Sequence, residues 1–147
     1  MKPIKDIKIA IVSGAFWEDI VGNLEKHCLE ALKRKGVDSS QVDIIRVPGS
    51  FEIPLAVKKL AEKKVYDAVI TFGAIHKGKT YHFELISNEV ARACMSLSLE
   101  FGIPVIFEVL AVYNIQDAID RSTQIKENRG AEAGNAAMSM IETLSKI

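Results

Sequence analysis

The chain of 147 residues has few of the features that mark secreted, metal-binding or membrane-spanning proteins. Its two cysteines, Cys28 and Cys94, each stand among apolar residues at helical spacing, which favours two buried thiols over a disulfide. With only three scattered histidines beside them, they make a poor set of metal ligands. No apolar run reaches the roughly 18 residues of a transmembrane helix, and the N-terminus lacks a secretory apolar core. We therefore expect a cytoplasmic protein without a metal or a membrane partner.

The chain also has no net charge, because 19 basic residues balance 19 acidic ones. Such a chain has no bulk attraction for nucleic acid or for an anionic membrane, so neither partner is predicted. What the chain does have is a hydrophobic content of 48%. At this length a folded chain buries roughly 68–70% of the surface that its unfolded form exposes. The composition thus predicts one globular domain over residues 1–147, in which local groups must bind any anionic ligand.

Strand and helix patterns alternate along the whole chain. β-Branched, nearly continuous apolar segments predict strands, and apolar residues at helical spacing predict the helices between them. The predicted strands are 7–12, 42–47, 67–72 and 105–110, and the predicted helices are 18–35, 51–63, 83–101, 115–121 and 131–145. This alternation implies right-handed crossovers and a parallel sheet. The predicted fold is a three-layer α/β/α sandwich, flavodoxin-like, with a central four-stranded parallel sheet.

Ligands of such folds bind beyond the carboxyl ends of the strands, and this rule selects the loops 14–17, 48–52, 73–82 and 111–114. The third of these loops concentrates the polar side chains that suit chemistry. They are His76, Lys77, Lys79, Thr80 and His82. We therefore expect the functional site around this loop.

One interpretation of that loop is a nucleotide site. Gly73-Ala-Ile-His-Lys-Gly-Lys-Thr80 matches the phosphate-loop pattern G-x-x-x-x-G-K-[ST], between a predicted strand and a predicted helix. A nucleotide phosphatase of this kind also needs a second strand that ends in Asp and holds magnesium. The other predicted strands end near Ser13, Val47 and Leu110, without an adjacent terminal Asp. A phosphate-loop nucleotide phosphatase therefore remains an alternative that lacks its metal-binding partner.

A second interpretation takes all the loops together. Val47-Pro-Gly-Ser-Phe-Glu-Ile-Pro54 is followed by Gly73-Ala-Ile-His-Lys-Gly-Lys-Thr-Tyr-His-Phe83, Asn88-Glu-Val90, Pro104-Val-Ile-Phe107 and Asn128-Arg-Gly-Ala-Glu-Ala133. In this order and without large gaps, the segments resemble those of lumazine synthases, the penultimate enzymes of riboflavin biosynthesis. The resemblance covers nearly the whole chain, and its Pro-Gly-Ser-aromatic-Glu and Gly-x-Thr-x-His-Phe motifs are specific.

The resemblance implies condensation of 5-amino-6-(D-ribitylamino)uracil with 3,4-dihydroxy-2-butanone 4-phosphate to 6,7-dimethyl-8-ribityllumazine. Phosphate is released, and no metal or redox cofactor is needed. His82 is the implied catalytic residue, because an imidazole titrates near neutral pH and can move protons as general acid and base. Lys79 and Thr80 would bind the phosphate with backbone N–H groups and the threonine hydroxyl. Arg121 would complete that site from a neighbouring subunit with a planar fork of donors.

The flat pyrimidine needs an aromatic face and partners for its polar edge. Phe16, Phe51 and Phe107 stand at the family's aromatic positions. Backbone groups on two loops would bind the polar edge, and the residues are Ser50, Phe51, Glu52, Ala74, Ile75 and His76. Taken alone, Phe107 would instead be a core residue, and His82 or Arg121 a surface residue. The family's sites lie between subunits, so a homo-oligomer is implied, a pentamer or a 60-subunit shell.

The chain departs from the family's pattern at the rim of the expected site. The family usually has Arg-Phe-Asn where this chain has Ala15, Phe16 and Trp17, and Phe-Gly where Glu108 follows Phe107. Two further departures are Tyr113, in a usually Thr-rich turn, and Glu127, in a usually basic loop. The added aromatic surface predicts a second alternative, a non-catalytic oligomer that binds a flavin or lumazine, and Glu127 places a negative charge near the expected phosphate.

Overall fold

The computed structural model describes residues 1–147 and has a four-stranded parallel sheet, in the spatial order β2-β1-β3-β4. The strands are β1 (Ile9–Gly14), β2 (Val42–Val47), β3 (Ala68–His76) and β4 (Val105–Val112). The helices are α1 (Glu18–Arg34), α2 (Ile53–Glu62), α3 (His82–Phe101), α4 (Ile115–Thr123) and α5 (Arg129–Leu144). The predicted three-layer, flavodoxin-like class is confirmed. No helix combines the length and the apolar character needed to cross a membrane.

Two apolar clusters, one on each face of the sheet, hold the three layers together. Side chains alternate between the faces of a strand, so Ile9 and Ile11 join one cluster whereas Ala10 and Val12 join the other. The first cluster receives buried residues of α1, α4 and α5, and the second receives buried residues of α2 and α3. Because helices cover both faces, β1 is buried along its whole length, which explains its continuous apolar sequence.

The central strand β3 is longer than the sequence predicted. It ends at His76 rather than at Phe72, and β4 ends at Val112 rather than at Leu110. The two strands pair in parallel from Val69 opposite Val105 to His76 opposite Val112. This pairing satisfies the backbone groups of 73–76, so the strand continues after its apolar pattern stops. His76 therefore lies at the end of a strand and not in a loop.

Candidate functional site

A cavity of about 550 Å³ opens at the carboxyl ends of β1, β2 and β3. This is the edge at which parallel α/β folds bind their ligands. The turns after the first two strands, the end of β3 and the first residues of α3 line it. The lining residues are Phe16, Trp17, Gly49, Ser50, Phe51, Glu52, Ala74, Ile75, His76, His82 and Ile86. We refer to this opening as the aromatic cavity.

Two glycines let the turn after β2 pack directly against the neighbouring strands. A Cβ atom on Gly14 would lie 2.8 Å from the carbonyl carbon of Gly49 and from the nitrogen of Ser50, and one on Gly73 would lie 2.6 Å from Ser50 Oγ. Such distances are shorter than van der Waals contact, so a larger residue would displace the turn. The backbone of residues 50–52 is thereby held at the wall of the cavity.

Two phenylalanine rings supply the cavity with exposed apolar surface. The side chains of Phe16 and Phe51 are 77% and 59% exposed. Phe16 meets Trp17 edge to face, with ring centroids 5.6 Å apart, and Trp17 also packs against the core. Exposed aromatic rings around one opening are typical of a binding surface for a flat ligand or a partner.

The cavity also contains two imidazoles. His76 is the last residue of β3 and His82 is the first of α3, and both side chains are exposed to the opening. An exposed imidazole near a helix start can exchange protons with a bound ligand and with solvent. The cavity thus brings one candidate acid/base group, His82, close to the aromatic rings and to the backbone of residues 50–52 and 74–76.

Other residues expected in the site do not line this cavity within a single chain. Lys79 and Thr80 are exposed in the bend before α3, Phe107 is 40% exposed in the middle of β4, and Arg121 lies on α4. Tyr113, expected to add aromatic surface, lies over Lys77 at 5.4 Å from Nζ to the ring centroid and contacts Phe83. Within a single chain, the lining of the aromatic cavity therefore contains exposed rings but no lysine or arginine.

The segment 73–80 does not have the shape of a phosphate-binding loop. Its first half, residues 73–76, belongs to β3 and pairs with β4. Thr80 precedes the start of α3 at His82, so neither Lys79 nor Thr80 stands in the first helical turn. In a phosphate loop the whole glycine-bounded segment leaves the sheet and wraps around the phosphates. The match to that pattern is one of sequence and not of geometry.

A comparison with known protein families separates the lumazine synthase interpretation from the phosphate-loop interpretation. The family model described as 6,7-dimethyl-8-ribityllumazine synthase matches residues 6–145. The chain belongs to this family. Membership confirms the resemblance and implies a transferase of riboflavin biosynthesis that acts on small molecules and forms an oligomer. In this lumazine synthase family member, the aromatic cavity is the candidate site for the ring substrate.

A second opening of about 470 Å³ lies between the end of α4 and the start of α5. No hydrophobic residue lines it, and the lining residues are Asp120, Arg121, Gln124, Glu127, Arg129 and Glu132. We refer to it as the charged cleft. The buried Asn128 links α4 to α5, because its Nδ2 donates to the carbonyls of Ser122 and Gln124 at 3.1 and 2.9 Å. Its Oδ1 accepts from the N–H of Ala131 at 3.1 Å and caps α5.

The two arginines of the charged cleft have different partners. Arg129 donates from Nε and Nη2 to the two carboxylate oxygens of Glu108, each at 3.0 Å, and from Nη1 to Glu132 at 2.6 Å. Arg121 donates from Nη1 to the carbonyl of Asp117 at 3.1 Å, with the Asp117 carboxylate 3.5 Å away. Arg121 is therefore the arginine of this cleft whose guanidinium keeps two nitrogens, Nε and Nη2, without a hydrogen-bond partner.

The partner of Arg129 is a buried carboxylate on the sheet. Glu108 lies within β4 and is 8% exposed. Burial raises the pKa of Glu108, and the hydrogen bond and charge of Arg129 offset only part of that rise. Glu108 departs from the family's sequence pattern, and its pairing with Arg129 was not predicted from the sequence. The available signal was a charged residue inside an apolar strand, which requires a partner of opposite charge.

Proposed function

We propose that the protein condenses 5-amino-6-(D-ribitylamino)uracil with 3,4-dihydroxy-2-butanone 4-phosphate to 6,7-dimethyl-8-ribityllumazine and inorganic phosphate. The observation that carries this proposal is the aromatic cavity, in a chain whose family carries the name of this reaction's product. The cavity combines exposed rings, backbone groups at strand ends and an imidazole, which are the groups required to bind the ring substrate and to move protons.

The ring substrate would lie against the exposed faces of Phe16 and Phe51. Stacking on an aromatic face suits a flat pyrimidine and excludes water from one side of it. The backbone N–H and C=O groups of Ser50, Phe51 and Glu52, and those of Ala74, Ile75 and His76, would bind its polar edge. Because Gly14 and Gly73 hold the turn of Ser50 against the strands, these groups are arranged before the substrate arrives.

His82 would move the protons of the reaction. Imine formation, phosphate elimination and ring closure each require a proton to be taken up or given away, and an imidazole does both near neutral pH. Its place at the start of α3, on the wall of the cavity, puts it beside the proposed ring site. The exposed Lys79 and Thr80 just before it would bind the phosphate of the second substrate at the mouth of the cavity.

The remaining groups would come from a neighbouring subunit. Arg121 and Phe107 do not line the aromatic cavity of their own chain, and Arg121 opens onto the charged cleft instead. Several large apolar side chains on α2 and α3 are exposed, which is typical of a surface covered in an oligomer. They are Leu55, Leu85, Met95 and Leu99. We propose a homo-oligomer, a pentamer or a 60-subunit shell of pentamers, in which one chain's charged cleft faces the next chain's aromatic cavity.

A second candidate is an oligomer that binds a flavin or a lumazine without turnover. The contact between Trp17 and Phe16 favours it, since Trp17 enlarges the aromatic face beside the cavity. A larger face suits a tricyclic ring as well as a pyrimidine. We assign either activity to the cytoplasm, where the two buried free thiols of Cys28 and Cys94 would stay reduced.

The two candidates are separated by a turnover assay. Purified protein is mixed with both substrates, and the product is followed by its absorbance and fluorescence. We expect product from the wild type and a rate at least about tenfold lower for His82→Ala, because general acid/base groups typically contribute about 100-fold and water replaces an exposed one in part. His27→Ala is the matched control, since His27 lies on α1 away from the cavity. Absence of product from the wild type would overturn the enzyme proposal.

A further inference from the structure

The charged cleft contains two guanidinium groups, but only one of them has nitrogens that no carboxylate or carbonyl engages. All three side-chain nitrogens of Arg129 are engaged by the carboxylates of Glu108 and Glu132. On Arg121 a single nitrogen, Nη1, is engaged by Asp117, so Nε and Nη2 keep their donors. An arginine binds a phosphate most strongly through two parallel N–H donors. Arg121 can offer such a pair from two unengaged nitrogens, whereas every nitrogen of Arg129 already donates to a carboxylate.

Burial of Glu108 makes the engagement of Arg129 hard to break. Glu108 is 8% exposed and stands opposite Phe72 of β3 in the sheet. A carboxylate in such a place is stable only while a cation pairs with it, since an unpaired buried charge has lost its hydration without compensation. If Arg129 turned toward a phosphate in the cleft, Glu108 would lose both of its hydrogen bonds. Glu108 thus acts on the cleft through the position of Arg129.

We propose that Glu108 is a specificity-determining residue that holds Arg129 away from an anionic ligand, so that the charged cleft binds phosphate weakly and through only one of its two arginines, Arg121. Three carboxylates and two guanidiniums line the cleft, which leaves a net negative charge near the ligand. A phosphate held by one arginine in such surroundings leaves readily. The cleft therefore favours release of a phosphate product over its retention. That the anion is the phosphate of the condensation rests on the proposed function; the pairing of Arg129 does not.

The test is the affinity for inorganic phosphate, measured by calorimetric titration of the oligomer without either substrate. Glu108→Gln removes the charge of the side chain, keeps its shape and weakens its interaction with Arg129. We expect the dissociation constant for phosphate to fall by about five- to tenfold, the effect of one unit charge about 4 Å from the anion in a medium as polar as water. An unchanged or higher dissociation constant in a folded Glu108→Gln variant would overturn the proposal.

A matched control exists in a second buried ion pair, whose residues do not line the cleft. Glu25 is also buried, at 7% exposure, and accepts from Nε and Nη2 of Arg46 at 3.2 and 2.8 Å. Glu25→Gln therefore makes the same chemical change in the same kind of pair, outside the cleft. We expect it to leave the dissociation constant for phosphate within about twofold of the wild type, because Glu25 pairs with Arg46 and neither residue lines the cleft. An equal gain in Glu25→Gln and Glu108→Gln would contradict the proposal.

A double variant keeps the proposal testable if Glu108→Gln does not fold. Glu108→Gln/Arg129→Gln removes both members of the buried pair and preserves net charge, a change that proteins often tolerate. Since Arg129 contributes little to phosphate binding in the wild type, we expect the double variant to match the wild type in phosphate affinity, whereas Arg121→Gln should weaken binding. A large loss of affinity in the double variant would show that Arg129 binds phosphate. Neither result depends on turnover, so failure of the proposed function remains a separate outcome.

Discussion

The aromatic cavity and the charged cleft are lined by opposite kinds of residue. Exposed rings and backbone groups line the cavity, and no lysine or arginine is among its residues, whereas no hydrophobic residue lines the cleft. The cavity lining has no arginine to complete a phosphate site, and the cleft lacks a surface for a ring. A reaction between a flat pyrimidine and a small phosphate ester needs both surfaces. We infer that each opening is one half of a site that two subunits complete.

The two openings also differ in what keeps their shape. Close backbone contacts at Gly14 and Gly73 set the wall of the cavity, whereas ion pairs of Arg129 set the wall of the cleft. Backbone contacts respond to added volume, and ion pairs respond to lost charge or to pH. Substitutions of each kind should therefore affect one opening and spare the other.

The largest effect on stability is expected from breaking the ion pair of the cleft. Arg129→Met leaves Glu108 buried without a cation, which should lower the free energy of unfolding by about 3 kcal/mol. Chemical denaturation of the oligomer at neutral pH measures this loss. Adding Glu108→Gln to the same variant should restore most of the stability, because no unpaired charge is left. No recovery in the double variant would show that Arg129 stabilises the chain by packing and not by pairing.

A smaller loss is expected from adding one methyl group at the wall of the cavity. In Gly14→Ala, the new Cβ would lie 2.8 Å from backbone atoms of Gly49 and Ser50. Displacing that turn should cost about 2 kcal/mol of unfolding free energy and should lower product formation, because the backbone of residues 50–52 moves. Gly78→Ala is the control, since its Cβ would have no neighbour within 4 Å. Equal stabilities of the two variants would contradict the proposed close packing.

The smallest effect is a change in the pH dependence of stability at the cleft. Burial raises the pKa of Glu108 in the folded state, so the folded chain binds this proton more tightly than the unfolded chain. Tighter proton binding by the folded chain adds to the free energy of unfolding. This contribution is fully present below the pKa of Glu108 in the unfolded chain, about 4.3, and is lost as the pH rises through the pKa of Glu108 in the folded chain. Glutamine resembles the protonated side chain, so Glu108→Gln should melt at a higher temperature than the wild type at pH 8.

That advantage should shrink as the pH is lowered toward 4, where the wild type also carries the proton. Melting curves at several pH values give the comparison. Glu127→Gln removes a carboxylate from the same cleft but from an exposed position, and should show no such trend. A gain in melting temperature for Glu108→Gln that does not vary with pH would contradict the sign of the pKa shift.

The same contrast explains which features the sequence predicted. The topology of a parallel sheet brings the ends of its strands together, so Phe16, Ser50 and His82 could be assigned to one region from strand positions alone. The extension of β3 to His76 was not predicted, because its pairing with β4 and not its own apolar pattern supports it. The partner of Arg129 was not predicted either. Glu108 lies 21 positions earlier, and only the packing of α5 brings the two together.

The most direct test of the two-subunit site is complementation between variants. His82→Ala damages the aromatic cavity and Arg121→Ala damages the charged cleft, so each homo-oligomer should form product slowly. When equal amounts of the two chains are co-assembled, random placement around a symmetric ring leaves about a quarter of the sites with an intact cavity facing an intact cleft. We therefore predict about a quarter of wild-type product formation from the mixed oligomer. Activity no greater than the mean of the two parents would show that the cavity and the cleft do not form one site.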